Sequence, residues 1–527
     1  MKPLFLLIAL LCLQSPAAWR PDEFVVGAFH EPPFSGNPGD DSATFRKYND
    51  LGFTVVTGHV LNGVQDPWNT GYVFFREGSL AHPVDALYRL NVLARIPGLR
   101  TFIWERGVNA GAAEALKTAR SFASVPSTIA PSYTKALRDK VFGYTGYRDE
   151  APFTAVKSDL LPVIRAVHAG DPARPSCPNF GCGLAAWNGA VPGDGFAKFQ
   201  ANMNNFRAAL AEYLGDTATS LFSFDYYKFF WYFSPSGKKM GPMTGGSPSH
   251  TFYAHLKIAA EETKRTGKVY YGVPCCAHHE IQEYSRQNVA RQWNPLCVRK
   301  FLNPAGSPQP VTEAFLRHEA YSYVLYGAKG LLWFSYFTPS QKEIIPWRDP
   351  PFNGLVGSRE VYIDQPSNNE GIRAAVQKIN REISRLGPVL LELTWVGVGH
   401  GAAVDPHIGE PWLPPLSSGL PPLYSGGRGA VEPADGARGW KPDSLAIGVF
   451  TRGSEYYLAL MNKSLTSGNR SKCNCAGKFS PRVFDRETGD WKALGKTGYD
   501  SDRNITSFEL DRPLAPGDLQ LIRLNRN

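Results

Sequence analysis

Beyond its first residues the sequence has no run near the ~20 apolar residues needed to cross a bilayer, so no membrane span is expected in the body of the chain. It has no glycine-rich phosphate loop and no G-x-S-x-G elbow, which sets aside nucleotide-dependent and serine-hydrolase chemistry. It has no C-x-x-C pair of the kind that builds structural zinc sites. No repeat of fixed period appears, which argues against a solenoid. Dense positive charge is also missing. The net charge is +9 and the pI about 9.0, yet the longest basic runs are pairs such as Lys238-Lys239 and Lys264-Arg265. That is a generally basic surface, and no nucleic-acid partner is expected.

Cysteine is sparse, at 8 in 527 residues. Cys12 lies in MKPLFLLIALLCLQSPAAW, where Lys2, the apolar Leu4 to Leu13 and the small Ser15-Pro16-Ala17 read as a secretory signal over residues 1–18. Export to the extracellular space, or to the periplasm of a bacterium, is the expectation. The remaining cysteines are odd in number, so at least one thiol stays unpaired. Cys177 with Cys182, and Cys297 with Cys275 or Cys276, are candidate disulfides in such a compartment. Cys275-Cys276-Ala277-His278-His279 offers metal-type ligands, but adjacent ligands fit a tetrahedral site badly. No metal and no cofactor are expected. Asn462, Asn469 and Asn504 match the N-glycosylation acceptor pattern.

What is present is apolar and aromatic: 43% and 13% of residues, a globular composition. Eight short strand-like runs recur, at 24–29, 52–60, 99–105, 141–147, about 176–180, 220–227, 268–274 and 329–337. Helical patterns separate most of them, at 83–96, 110–123, 158–170, 196–214, 250–267 and 313–328. Strands alternating with helices predict a parallel sheet. Eight units predict an α/β fold, a (β/α)8 TIM barrel over residues 19–393. GIRAAVQKINREISRLGPVLLEL should close it, stopping at Gly387-Pro388. Residues 394–442 then read as a Pro/Gly-rich linker, and 443–527 as a small antiparallel β-sandwich.

In a barrel the C-terminal strand ends carry the active site. VFGYTGYRDEAP puts Asp149 and Glu150 there, after the fourth strand; Asp149 as a plain helix cap is the competing reading. Other strand ends bring Glu31, His59, Trp104, Glu105, Tyr226, Tyr227, Trp333 and Tyr336 as substrate-binding candidates, with Asp225 as a further acid. Glu31 and Glu105 serve equally well as partners of Arg106, and Trp231 and Tyr232 as a lid or as loop packing. His255 and His318 fall in helical patterns and read as surface or satisfied core residues. Carboxylates and aromatics on one rim suit a carbohydrate, since rings stack on sugar C–H faces and two acids do the chemistry.

GYTGYRDEAP resembles the fourth-strand "GYY-x-x-DEP" motif of secreted barrels related to the clan of retaining glycoside hydrolases, which includes β-galactosidase-like barrels. LFSFDYYKF resembles their sixth-strand element, RHEAYSYVLYGAKGLLWFSYFTP their last helix and strand, and YYLALMNKS a strand of their sandwich. The resemblance spans roughly residues 24–527 and implies a glycosidase with Glu150 as general acid/base. It also implies a nucleophile after strand seven, where VYYGVPCCAHH offers no carboxylate before Glu280 and Glu283. Asp225 is preferred over Glu280 as second carboxylate, because a strand end holds a group more firmly than a loop. Two alternatives stay open. Asp149 and Glu150 could act with the substrate's own acetamido group, as in chitinases and hexosaminidases. The barrel could also bind carbohydrate without cleaving it. Oligomeric state is left open.

Overall fold

The computed structural model describes residues 19–29, 32, 37–57, 64–65, 72–73, 83–104, 111–123, 134–145, 153–181, 195–226, 230–233, 239–242, 248–276, 281–285, 294–301, 312–334, 336–338, 356–357, 366–401, 414–416, 419–426, 429–434 and 444–527. Eight parallel strands form the barrel: β1 Val25–Ala28, β2 Val55–Val56, β3 Arg100–Trp104, β4 Val141–Thr145, β5 Asn179–Gly181, β6 Leu221–Asp225, β7 Val269–Val273 and β8 Gly330–Trp333. Their hydrogen-bonded order is β4-β3-β2-β1-β8-β7-β6-β5. The sheet closes on itself where Tyr144 N–H donates to Pro175 O at 2.9 Å and Cys177 N–H to Tyr144 O at 2.8 Å. All eight expected strands are present, in sequence order.

A helix follows each strand: α1 Pro38–Asp50, α2 Pro83–Ala94, α3 Ala112–Ala123, α4 Leu161–Gly170, α5 Gly195–Gly215, α6 Pro248–Thr266, α7 Glu313–Leu325 and α8 Pro366–Glu392. The sequence reading lacked α1. It is polar, with Phe45 and Tyr48 as its large buried side chains, and it starts on local signals: Asn37 caps it by accepting Gly39 N–H at 3.0 Å, and Pro38 stands in the first turn. Tyr48 ties this helix to the sheet. Its hydroxyl accepts Ala28 N–H at 2.9 Å and donates to Val55 O at 2.8 Å.

The expected stop at Gly387-Pro388 is corrected, because α8 runs through Pro388 to Glu392. An internal proline costs about 3 kcal/mol. Here Leu386, Leu390 and Leu393 are buried in the main core, and Lys329 Nζ donates to the Leu390 and Leu393 carbonyls at the helix end. Gly387 lets the helix approach β1, since a Cβ there would fall 2.5 Å from Phe24 Cβ. The boundary beyond it is corrected too. Residues 394–400, read as linker, form strand β9 Thr394–His400, which pairs antiparallel with β11 Leu445–Arg452.

The C-terminal sandwich adds β10 Val431–Pro433, β12 Glu455–Asn462, β13 Ser471–Ala476, β14 Phe479–Phe484, β15 Trp491–Ala493, β16 Lys496–Asp500, β17 Ile505–Glu509 and β18 Leu519–Arg526. One sheet runs β9-β11-β12-β18-β14-β15 and the other β10-β13-β17-β16. Leu458, Leu460, Ile522 and Leu524 meet Cys473, Cys475 and Phe508 between the sheets. The opposite face of the larger sheet, including Tyr457, Ala459, Met461 and Leu521, joins the core of the barrel's helical layer. Burial on both faces explains the unbroken apolar run of β12.

An ion network fastens the two parts. Arg317 of α7 forks onto Glu382 of α8 at 2.7 and 2.8 Å, and Arg486 forks onto Asp518 with both bonds at 2.7 Å. Arg317 also reaches Asp518 at 3.1 Å, and Tyr321 donates to Glu382 at 2.6 Å.

Two of the expected glycosylation acceptors are corrected. Asn462 is fully buried, its amide donating to the carbonyls of Ser467, Leu514 and Ala515; Asn469 is buried with its amide on Ser444. Both amides are consumed by internal hydrogen bonds, whereas Asn504 is exposed. Among the described residues no helix is long and apolar enough to cross a membrane.

Candidate active site

Strand parity sorts every barrel side chain into lumen or outer layer. Val25, Val55, Phe102, Phe142, Leu221, Tyr271, Val273 and Leu332 fill the lumen. At the N-terminal end Arg100 closes the floor, bonded to Asp22 at 2.8 Å and Glu23 at 2.6 Å, with its guanidinium 4.5 Å from the Phe142 ring centre. Burial opposes the Arg100 charge, but the two acids more than compensate and hold its pKa above the ordinary value.

The C-terminal end is polar. Asp225 is the last residue of β6 and shares lumen parity with Leu221 and Ser223. It is 4% exposed, and Asn179 donates its amide N–H to Asp225 Oδ2 at 3.3 Å. The Asn179 carbonyl oxygen in turn accepts from Ser223 Oγ at 3.0 Å. Thr145, ending β4, donates to Cys177 O at 2.9 Å. A chain Ser223–Asn179–Asp225 thus crosses from β6 to β5 and back, fixing the carboxylate. Asn179 and Ser223 were missed in the sequence, where the fifth strand carries the weakest pattern; for Ser223, two residues before Asp225 on the same strand, lumen parity was the available signal.

The aromatic wall needs correction. Trp333 is fully buried with its indole N–H bonded to Asn380 of α8 at 2.8 Å, and it belongs to the helical-layer core. Tyr226 is 1% exposed and packs on Phe252 and His255 of α6 at 5.3 and 5.1 Å. Tyr336 is buried edge-on against Tyr48 of α1, with ring centres 4.8 Å apart. All three rings face helices and none walls a sugar. Just after β8 the neighbour on the lumen side is Phe334, partly buried against the lumen cluster. His255 and His318 are core residues, as expected.

Asp149, Glu150, Glu31, His59, Glu105, Arg106, Tyr227, His278, His279 and Glu280 lie outside the described residues. Trp104, Trp231, Tyr232 and Glu283 are described as strand backbone. The expected Cys177–Cys182 bridge is corrected. Cys177 is a free, buried thiol in the lumen core, and burial pushes its pKa up to about 12, against the hydrogen bond to Ser223. Cys275 and Cys276 are buried at the end of β7, and Cys182 and Cys297 fall outside what the structure describes of side chains.

Fold and site together define a (β/α)8 barrel with a carboxylate fixed at its C-terminal mouth and a β-sandwich packed on its helices. No family model and no curated protein matches the sequence. Among solved structures the chain is similar to a protein described as "Glycoside hydrolase", at 11% identity and TM-score 0.45, covering 95% of this chain and 92% of that one. It is also similar to a glycoside hydrolase family 5 protein from Bacteroides vulgatus, at 11% identity and TM-score 0.44, covering 95% and 89%. A third is a β-galactosidase from Bacillus circulans sp. alkalophilus, at 7% identity and TM-score 0.39, covering 95% and 99%.

Proposed function

We propose that this protein is a secreted glycoside hydrolase acting on an oligo- or polysaccharide at the C-terminal mouth of the barrel. Asp225 carries the reading: a carboxylate at a strand end, turned to the lumen and steadied by Asn179. Glu150, from the segment after β4, is the general acid, and Asp225 is the base. β6 pairs with β5, and β4 bridges to Ser176 in the segment leading into β5, so β4 and β6 stand about two strand spacings apart, ~10 Å between axes. That favours carboxyl groups ~6.5–9.5 Å apart, with room for a water, over the ~5–5.5 Å of a direct nucleophile. Glu150 gives its proton to the glycosidic oxygen as the C1–O bond breaks. Asp225 takes a proton from the water whose oxygen bonds C1. Glu31, His59, Trp104, Glu105 and Tyr227 remain as the groups proposed to hold the sugar.

The test is turnover across a panel of coloured glycosides and natural glycans. Asp225→Asn and Glu150→Gln should each lose at least a hundredfold in kcat with the fold intact. Loss in Glu150→Gln and Asp149→Asn with Asp225→Asn unimpaired, on N-acetylated substrates alone, would move the role to substrate assistance. Saturable binding of glycans without any release of product would make the barrel a non-catalytic binder.

A further inference from the structure

A second concavity lies far from the mouth, where the end of α6 meets β9 of the sandwich. Helix α6 runs back from the C-terminal to the N-terminal end of the barrel, so its last turn sits at the opposite end from Asp225. The cavity is about 500 Å³, and Trp395, Tyr326, Lys257, Glu261, Lys264 and Arg265 line it with a short apolar wall from Val398 and Leu420. This volume lies in the range of small-molecule sites, ~300–1,000 Å³.

Its chemistry is lopsided. Glu261 is engaged by Lys257 at 2.9 Å and Arg207 at 2.6 Å, and Arg265 by Glu262 at 2.8 Å. Lys264 pairs with no carboxylate among the described residues. Its ammonium donates to Val396 O at 3.2 Å and lies 5.7 Å from the centre of the Trp395 ring. Trp395 is half-buried and stacks on Tyr326 at 6.2 Å, while its indole nitrogen is buried with no hydrogen-bond partner among the described residues. A cation with no carboxylate partner among the described residues, next to aromatic and aliphatic surface, is a setting for an anion with an apolar face.

We propose that this cavity is a second ligand site, taking an acidic saccharide unit: a sugar ring bearing a carboxylate or sulfate. The acid group pairs with Lys264, and the C–H face of the ring lies on the Trp395 and Leu420 surface. Such a ligand touches both α6 and β9, so it also strengthens the seam between barrel and sandwich.

The experiment is titration calorimetry at low ionic strength. The probes are a glucuronate-containing disaccharide with and without a sulfate ester, the neutral disaccharide cellobiose, and inorganic sulfate. The acidic disaccharides should bind saturably and at least tenfold more tightly than cellobiose or sulfate, and should raise the Tm. Lys264→Met, at an exposed position, should weaken them about tenfold or more with an unchanged ligand-free Tm; Trp395→Ala should weaken them as much, at a lower ligand-free Tm because its ring packs on Tyr326 and the main core. Glu150→Gln should bind as the parent does, so failure of the catalytic proposal and failure of this one are read separately. Equal affinity for cellobiose, sulfate binding as tightly as the disaccharides, or parent-like binding by both cavity variants would overturn the proposal.

Discussion

Replacing Glu382 with glutamine cuts the network that joins α7 and α8 to the sandwich. Both carboxylate oxygens are engaged: Oε1 by Arg317 at 2.7 Å, and Oε2 by Arg317 at 2.8 Å, Tyr321 at 2.6 Å and Arg486 at 2.8 Å. Burial alone would raise the Glu382 pKa. The Arg317 hydrogen bonds and the charges of Arg486 and Arg317 outweigh it and bring the value from 4.5 to about 2. That difference, 4.5 − 2 = 2.5, corresponds to about 3 kcal/mol at ~1.4 kcal/mol per unit. The depressed value sets the sign: the contribution is complete above pH 4.5 and is lost as pH falls towards 2. Urea unfolding at constant ionic strength reads it. Glu382→Gln should be less stable than the parent by about 3 kcal/mol at pH 7, and the gap should narrow steadily from pH 4.5 to pH 3. A deficit under about 1 kcal/mol, or one that is the same at pH 7 and pH 3, would refute the reasoning.

Tyr48→Phe removes a hydroxyl that serves both Ala28 N–H and Val55 O, and should cost about 1–3 kcal/mol in the same urea assay; a neutral variant would mean the tie between α1 and the sheet carries no weight. Tyr271→Phe tests the opposite case, because the Tyr271 hydroxyl is buried in the lumen without a hydrogen bond among the described residues. Its loss should be neutral or stabilising within about 1 kcal/mol, and a clear destabilisation would contradict that. Cys177 and Cys473, both buried with pKa pushed up to about 12, should resist iodoacetamide at pH 8 in the folded protein and react fully in urea. Labelling of either in the native state, read by peptide mass spectrometry, would count against their burial.

Much of the fold is legible because barrel strands are short, apolar and separated by amphipathic helices; the periodicities alone give eight strands in order. The misses have local causes. Helix α1 carries little apolar surface and announces itself through its cap. The end of α8 looked like a stop because proline and glycine are adjacent, yet burial of Leu390 and Leu393 carries the helix on. Strands β13 and β16 are polar or exposed along much of their length, so alternation is faint there. At the site, nearness to a strand end proved a weaker guide than parity. Asp225 and Ser223 share one face of β6 while Phe224 and Tyr226 turn to the helices, and Trp333 turns outward beside a lumen-facing Phe334. Asn179 was out of reach because its bond to Asp225 joins residues on different strands.

Under the proposed function, carboxylates at the barrel mouth cleave a glycosidic bond. The most direct measurement is kcat of the parent, Glu150→Gln and Asp225→Asn on one glycan cleaved by the parent, with Tm recorded for each. Losses of at least a hundredfold in both variants at unchanged Tm are predicted; a well-folded Glu150→Gln that turns over substrate at the parent rate would contradict the account.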